Sequence, residues 1–137
     1  MTIYQNHSSG RSIGWSQWHL QWCTKYRYRI FTLVKYKNLC KILIQECCKR
    51  HNLTYIDSEV DVDHVHILVA IPLTQDPIGV IHLLKGYTSR CLFILMPQLV
   101  KTYRGKNNLW SSGKFIGSVG HISLDFAKLY VQSHKSK

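Results

Sequence analysis

The spacing of apolar residues along this chain switches between two and about 3.6, and that switching restricts the fold more than any other feature. Residues 18–24 (Trp-His-Leu-Gln-Trp-Cys-Thr) alternate weakly and read as a strand. Residues 38–49 place Leu39, Ile42, Leu43 and Cys47 at helical spacing, ahead of a basic end. Two further strands are expected over 53–60 and 64–71, joined by a tight acidic turn at 61–63. Asp76 followed by Pro77 makes a helix start, a cap with proline at the first helical position. That helix runs towards Pro97 with Ile81, Leu84, Tyr87 or Thr88, and Cys91 on one side. Residues 115–121 read as a last strand, and Ser123 caps a final helix carrying Phe126, Tyr130 and His134. The order is that of a split β-α-β sandwich with one extra helix: an α+β fold, its antiparallel sheet covered by helices on one face. The other face is expected to stay open unless a partner or ligand uses it.

Length supports one such unit. A domain of 137 residues buries about 65–70% of its unfolded surface, enough for a real core. Residues 1–14 are polar and are expected to form a flexible N-terminal segment, leaving 15–137 as the single domain. The sequence shows neither an apolar run long enough to cross a bilayer nor an opening signal peptide. The expectation is a soluble cytoplasmic protein with no membrane partner. Cys23, Cys40, Cys47, Cys48 and Cys91 are odd in number and form no Cys-x-x-Cys pair. They argue against a disulfide framework and against a four-cysteine zinc site.

Charge narrows the partners. Eighteen Lys and Arg against seven Asp and Glu give a formal charge of +11, a field that draws polyanions and works against acidic partners. The bases cluster at Lys25, Arg27 and Arg29, at Lys35 and Lys37, and at Lys101, Arg104 and Lys106. Tyr26, Tyr28, Tyr36 and Tyr103 lie among them. Cations for phosphates with rings for stacking suit nucleic acid, single strands or distorted hairpins above all.

The chemistry rests on two pairs. His64 and His66 are separated by one residue on a strand, so they share a face about 6.5–7 Å apart and can converge on one cation. Val65, Ile67 and Val69 face the core. Asp63 could ligate, orient His64 or simply make the turn. Tyr130 and His134, spaced i and i+4, project from one face of the final helix, while Gln132 points elsewhere. A tyrosine hydroxyl titrates near 10 and is a poor nucleophile at neutral pH. A divalent cation on the scissile phosphate would polarise it and stabilise developing charge. The tyrosine then displaces a 3′-hydroxyl and keeps the 5′ end as a phosphotyrosine ester, and rejoining needs no ATP.

At this point the sequence resembles a known family, the HUH single-tyrosine transposases of small prokaryotic insertion sequences, the insertion-sequence-200-like transposases. Residues 18–27, ending Lys25-Tyr26-Arg27, resemble its first strand, and residues 62–69 resemble its metal-binding strand. Leu84-Lys85-Gly86-Tyr87-Thr88-Ser89 resembles its second helix. Residues 109–115, with Ser118-Val119-Gly120, resemble the stretch into its last strand. The resemblance implies a ferredoxin-like fold and a homodimer whose two sheets join. Each composite active site would take its histidines from one subunit and its tyrosine from the other. It implies single-stranded DNA with hairpin ends as substrate and Mg²⁺ or Mn²⁺ as cofactor. His64 and His66 would be metal ligands and Tyr130 the nucleophile. The family commonly carries glutamine four residues after the tyrosine. Here His134 stands there, a third candidate ligand that would favour Mn²⁺ or Zn²⁺ over Mg²⁺. Lys25, Arg27, Lys85 and Arg90 are the expected DNA-binding residues, from their charge and their places in the matched segments. Three rivals stand beside this reading: a non-catalytic nucleic-acid-binding module, a domesticated relative acting on chromosomal repeats, and a phosphoesterase that uses water.

Overall fold

The computed structural model describes residues 15–106 and 108–119. The N-terminal segment, the Ser123 cap and the tyrosine-bearing final helix expected from the sequence lie outside the described residues. The element order is β1 (Trp15–Thr24), a 3₁₀ turn (Lys25–Arg27), α1 (Val34–Arg50), β2 (Thr54–Val60), β3 (His64–Pro72), α2 (Pro77–Leu95), α3 (Gln98–Thr102) and β4 (Trp110–Val119). The strands form one sheet in the order β2-β3-β1-β4, with every neighbouring pair antiparallel. Helix α1 carries the chain from β1 to β2 and α2 carries it from β3 to β4, which leaves β1 and β3 central. This is the ferredoxin-like, split β-α-β architecture.

Alternation in β1 and β3 sorts the side chains. Leu20 and Trp22 on β1, with Val65, Ile67, Val69 and Ile71 on β3, enter one core cluster with the inner faces of α1 and α2. The inner face of α1 is Cys40, Leu43, Ile44, Cys47 and Cys48, and Ile42, expected inside, is 58% exposed. The correction comes from the cysteines. As small apolar side chains they complete the i, i+3/4, i+7 stripe as well as an isoleucine would. Burial pushes the Cys47 and Cys48 thiols up to about 11 and about 12, so they stay protonated as core residues.

Helix α2 begins as the sequence predicts. The Asp76 carboxylate accepts from the Gly79 N–H at 2.7 Å, and Pro77 takes the first helical position. Its buried face includes Val80, Ile81, Leu84 and Leu92. By length and composition alone this helix could cross a membrane, which corrects the expectation that no such run exists. Part of its apolar content is the face that packs into the core, while Ile78, Ile94 and Leu95 are exposed, and Lys85 and Arg90 interrupt the run.

Strand β4 begins at Trp110 rather than Phe115. The polar run Ser111-Ser112-Gly113 reads as loop in sequence, but β4 is an edge strand, where polar and exposed residues are the rule. Trp110 anchors it. Its indole is buried, meets Trp22 edge-on at 5.8 Å and stacks on Phe31 at 6.0 Å. Its N–H donates to Thr88 Oγ1 at 3.0 Å, and that hydroxyl donates to the Leu84 carbonyl at 2.7 Å.

The sheet face away from the helices is not the open surface expected. Gln17, His66, Leu68 and Ala70 lie on it at 5%, 1%, 1% and 0% exposure, although neither Leu68 nor Ala70 belongs to the helix-facing cluster.

Replacing Thr88 by valine keeps the volume and removes the acceptor for a buried indole N–H. Urea unfolding is expected to show a loss of about 1–3 kcal/mol. The loss should shrink in a Trp110→Phe background, where the N–H is already gone.

Candidate metal and DNA site

His64 opens β3 and His66 follows on the same face. Pairing locks them there: Cys23 lies opposite His64, and Gln21 and Glu59 flank His66 on β1 and β2. The imidazole centroids are 5.0 Å apart with planes at 78°. His64 is partly exposed and His66 is buried, so the pair runs inward from the surface.

Each ring is held through its Nδ1. For His64 the partner is Asp63 Oδ1, at 2.8 Å. For His66 it is His19 Nε2, at 3.2 Å, with the two rings stacked at 5.4 Å and 19°. Both Nδ1 atoms are therefore engaged within the fold, and Nε2 is the nitrogen each ring can offer a cation. Asp61 Oδ2 lies 3.7 Å from His64 Nε2, adding a carboxylate near that side. Imidazole and carboxylate donors suit a divalent ion such as Mn²⁺ or Zn²⁺. Among the described residues no third ligand completes a cluster, and His134, the third ligand expected from sequence, lies outside them, as does Tyr130.

Asp63 settles into the orienting role among the three open to it. Its backbone carbonyl accepts from Thr24 N–H at 2.9 Å, its Oδ1 faces His64, and its Oδ2 accepts from Arg27 Nε at 3.1 Å. Desolvation pushes its carboxyl up, but hydrogen bonds from His64 and Arg27 outweigh that and hold it below the ordinary carboxylate value. The turn itself closes where Asp61 N–H donates to the His64 carbonyl at 2.8 Å. Arg27 reaches Asp63 because Tyr26 and Arg27 both adopt left-handed backbone, at φ 60° and 55°. Each such non-glycine residue costs about 1–2 kcal/mol. Strain of this kind concentrates where a geometry is functionally required.

The expected DNA-binding residues divide into two groups. Lys85 and Arg90 line one cleft of about 750 Å³ between α2 and the start of β4, with His82, Phe93, Asn108 and Ser112. Lys85 is half-buried and donates to the Ser111 carbonyl at 2.6 Å. Burial, and then the Lys114 charge, lower its pKa. Arg90 is exposed. Lys25 and Arg27 instead sit at the β1 end of the sheet, Lys25 5.5 Å over the Tyr26 ring and Arg27 on Asp63. Of the interleaved tyrosines, Tyr103 is a packing residue, buried at 4% exposure between Tyr28 and Phe93, at 5.2 and 5.8 Å. Burial raises its hydroxyl to about 12. Tyr36 is packed against the core. Tyr26 and Tyr28 keep exposed rings.

Sequence reasoning did not single out His19. Its place in the alternation of β1 assigns it to the face of Gln17 and Gln21, but only the β1–β3 register brings it beside His66.

Comparison with known proteins gives the family. The family model described as "Transposase IS200 like" matches residues 14–134. The ISDra2 transposase TnpA of Deinococcus radiodurans is 30% identical over 121 residues, 88% of this chain and 85% of that protein. The transposase for insertion sequence element IS200 of Salmonella typhimurium is 27% identical over 114 residues, 80% of this chain and 74% of that one. A crystal structure assigned to a Deinococcus radiodurans R1 transposase has a TM-score of 0.73 at 24% identity, covering 92% of this chain and 96% of that one. The structure of a REP-associated tyrosine transposase bound to a REP hairpin has a TM-score of 0.57 at 12% identity, covering 85% and 62%. The two structural likenesses speak for the fold. The sequence matches carry the family: this chain belongs to the IS200-like transposases, enzymes that cleave and transfer DNA strands.

Proposed function

We propose that this transposase cleaves and rejoins single-stranded insertion-sequence ends through a 5′-phosphotyrosine intermediate on Tyr130. A divalent cation, Mg²⁺ or Mn²⁺, would be held by His64 and His66 with His134 as third ligand. The observation that carries the reading is the imidazole pair, 5.0 Å between centroids, each ring fixed through Nδ1. That is how metal-binding histidines are ordinarily oriented, the second nitrogen hydrogen-bonded and the first left to ligate.

When bound, the cation supplies charge stabilisation at the scissile phosphate. The protein supplies the nucleophile. Tyr130 Oη forms a bond to phosphorus as it loses its proton, and the bond to the 3′ oxygen breaks, releasing a 3′-hydroxyl. Rejoining is the reverse: a 3′-hydroxyl attacks the ester, the bond to Oη breaks, and the tyrosine recovers its proton. The phosphodiester count is conserved, so no nucleotide cofactor is needed. The reaction belongs in the cytoplasm, where the element's DNA lies.

The first test incubates the protein and a Tyr130→Phe variant with labelled single-stranded element ends and Mn²⁺, Mg²⁺ or chelator. The expected product is a metal-dependent covalent protein–DNA band that the variant lacks. Cleavage without an adduct would indicate hydrolysis by water, and binding without cleavage a non-catalytic module.

Hairpin ends are assigned to the basic cleft, because Lys85 and Arg90 line one concavity. Alanine at either position should weaken hairpin binding and reduce the log–log salt slope by about 1. Unchanged affinity and slope would remove that residue from the interface. Lys25 and Arg27 would guide the strand near the histidines, where Tyr26 and Tyr28 offer stacking surfaces.

The protein is proposed to act as a homodimer with composite sites. Support comes from the sheet edge: β4 spans ten residues, and residues 112–115 on it are exposed, a backbone edge suited to pairing with a second copy. Sedimentation at micromolar concentration should give a dimer. A fully active monomer would exclude composite sites.

A further inference from the structure

We propose that His19 is a positioning residue for the metal site, acting on His66 as Asp63 acts on His64. The inference rests on the reading of His64 and His66 as ligands. His19 lies on β1 opposite Leu68, one step diagonally from His66, whose direct partner on β1 is Gln21. Diagonal neighbours on one sheet face are within reach of long or ring side chains. Here the reach is used: His19 Nε2 lies 3.2 Å from His66 Nδ1, and the ring planes are only 19° apart with centroids 5.4 Å apart.

The chemistry of that contact fixes a tautomer. Between two neutral imidazoles one nitrogen must donate and the other accept. If His66 is to ligate through Nε2, its proton must sit on Nδ1, and His19 Nε2 is then the acceptor. His19 in turn carries its own proton on Nδ1. With that donation running from His66 to His19, the lone pair of the His66 ring sits on Nε2.

The neighbours of His19 hold it in place. Gly117 on β4 lies directly opposite it, and Phe115 occupies the space a side chain would take there. A Cβ on Gly117 would meet Phe115 Cε1 at 3.0 Å. The Phe115 ring packs edge-on against His19, 5.6 Å between centroids. The glycine opposite thus leaves room for the Phe115 ring to lie against the imidazole. No such arrangement is required by the apolar core, which lies on the other face.

The test uses the full-length protein without DNA. Mn²⁺ affinity is measured by titration for wild type, His19→Phe, His19→Gln, His64→Ala and His66→Ala, with melting of the metal-free forms alongside. Long-range ¹H–¹⁵N spectra of metal-free wild type and His19→Phe report the His66 tautomer. The expected result is an Nδ1–H tautomer for His66 in wild type, disturbed in His19→Phe. His19→Phe should bind Mn²⁺ about 10–100-fold more weakly with its melting temperature unchanged. His19→Gln, whose amide oxygen can accept the same proton, should recover most of the affinity. Wild-type affinity in His19→Phe, an Nε2–H tautomer for His66, or equal losses in both variants would overturn the proposal. Wild-type affinity in His64→Ala and His66→Ala would instead overturn the ligand assignment beneath it.

Discussion

The site depends on one constraint: β3 is paired along its length on both sides, to β1 and to β2. A strand hydrogen-bonded at both edges cannot slip by a residue without turning every side chain to the opposite face. Val65, Ile67, Val69 and Ile71 anchor that register through burial. Each such side chain contributes about 1.5–3 kcal/mol when removed from water, so a one-residue slip would forfeit far more than a histidine pair could recover. The imidazoles inherit their common face from the aliphatic residues between and beyond them. The core holds the chemistry in place.

Asp63 extends that rigidity beyond the sheet. It ties the end of β1, through Thr24, and the strained turn that follows, through Arg27, to the start of β3 beside His64. In a chain with seven carboxylates against eighteen bases, Asp57, Glu59, Asp61 and Asp63 gather on β2 and its turn. Local negative charge there offsets the basic field where a cation would bind. The Arg27–Asp63 pair is exposed on the arginine side and adds little stability by itself. Its consequence is geometric, tying the basic, tyrosine-bearing turn to the first histidine.

The basic cleft and the histidines are separated by the sheet. Lys85 and Arg90 belong to α2, on the face covered by helices, whereas His19, His64 and His66 lie on the other. The second face carries the buried polar side chains Gln17 and His66 beside Leu68 and Ala70. Burying such groups carries a desolvation cost that an apolar layer would not. A fold optimised for stability alone would not place imidazoles there.

Much of this was legible in the order of residues. Period-two and helical spacing give the strands and helices in sequence, and Asp76-Pro77 marks the start of α2. The His-x-His spacing fixes that two imidazoles share a face, because alternation is a local property of an extended backbone. Elsewhere local pattern was insufficient. The inner face of α1 includes Cys40, Ile44 and Cys48, which the expected stripe left out while it took in Ile42, and β4 began among polar residues that only an edge strand tolerates. His19 could be assigned a face but not a neighbour. Asp63 had three roles open, and the contacts with Thr24, Arg27 and His64 selected one. Sequence by itself determined what is periodic and local: the order of the strands and the two long helices through β4, the faces of the strands and the basic character. Register, and with it the contacts among His19, His66, Asp63 and Arg27, was decided only by the tertiary structure, because pairing between distant strands is set by the summed burial of the whole core.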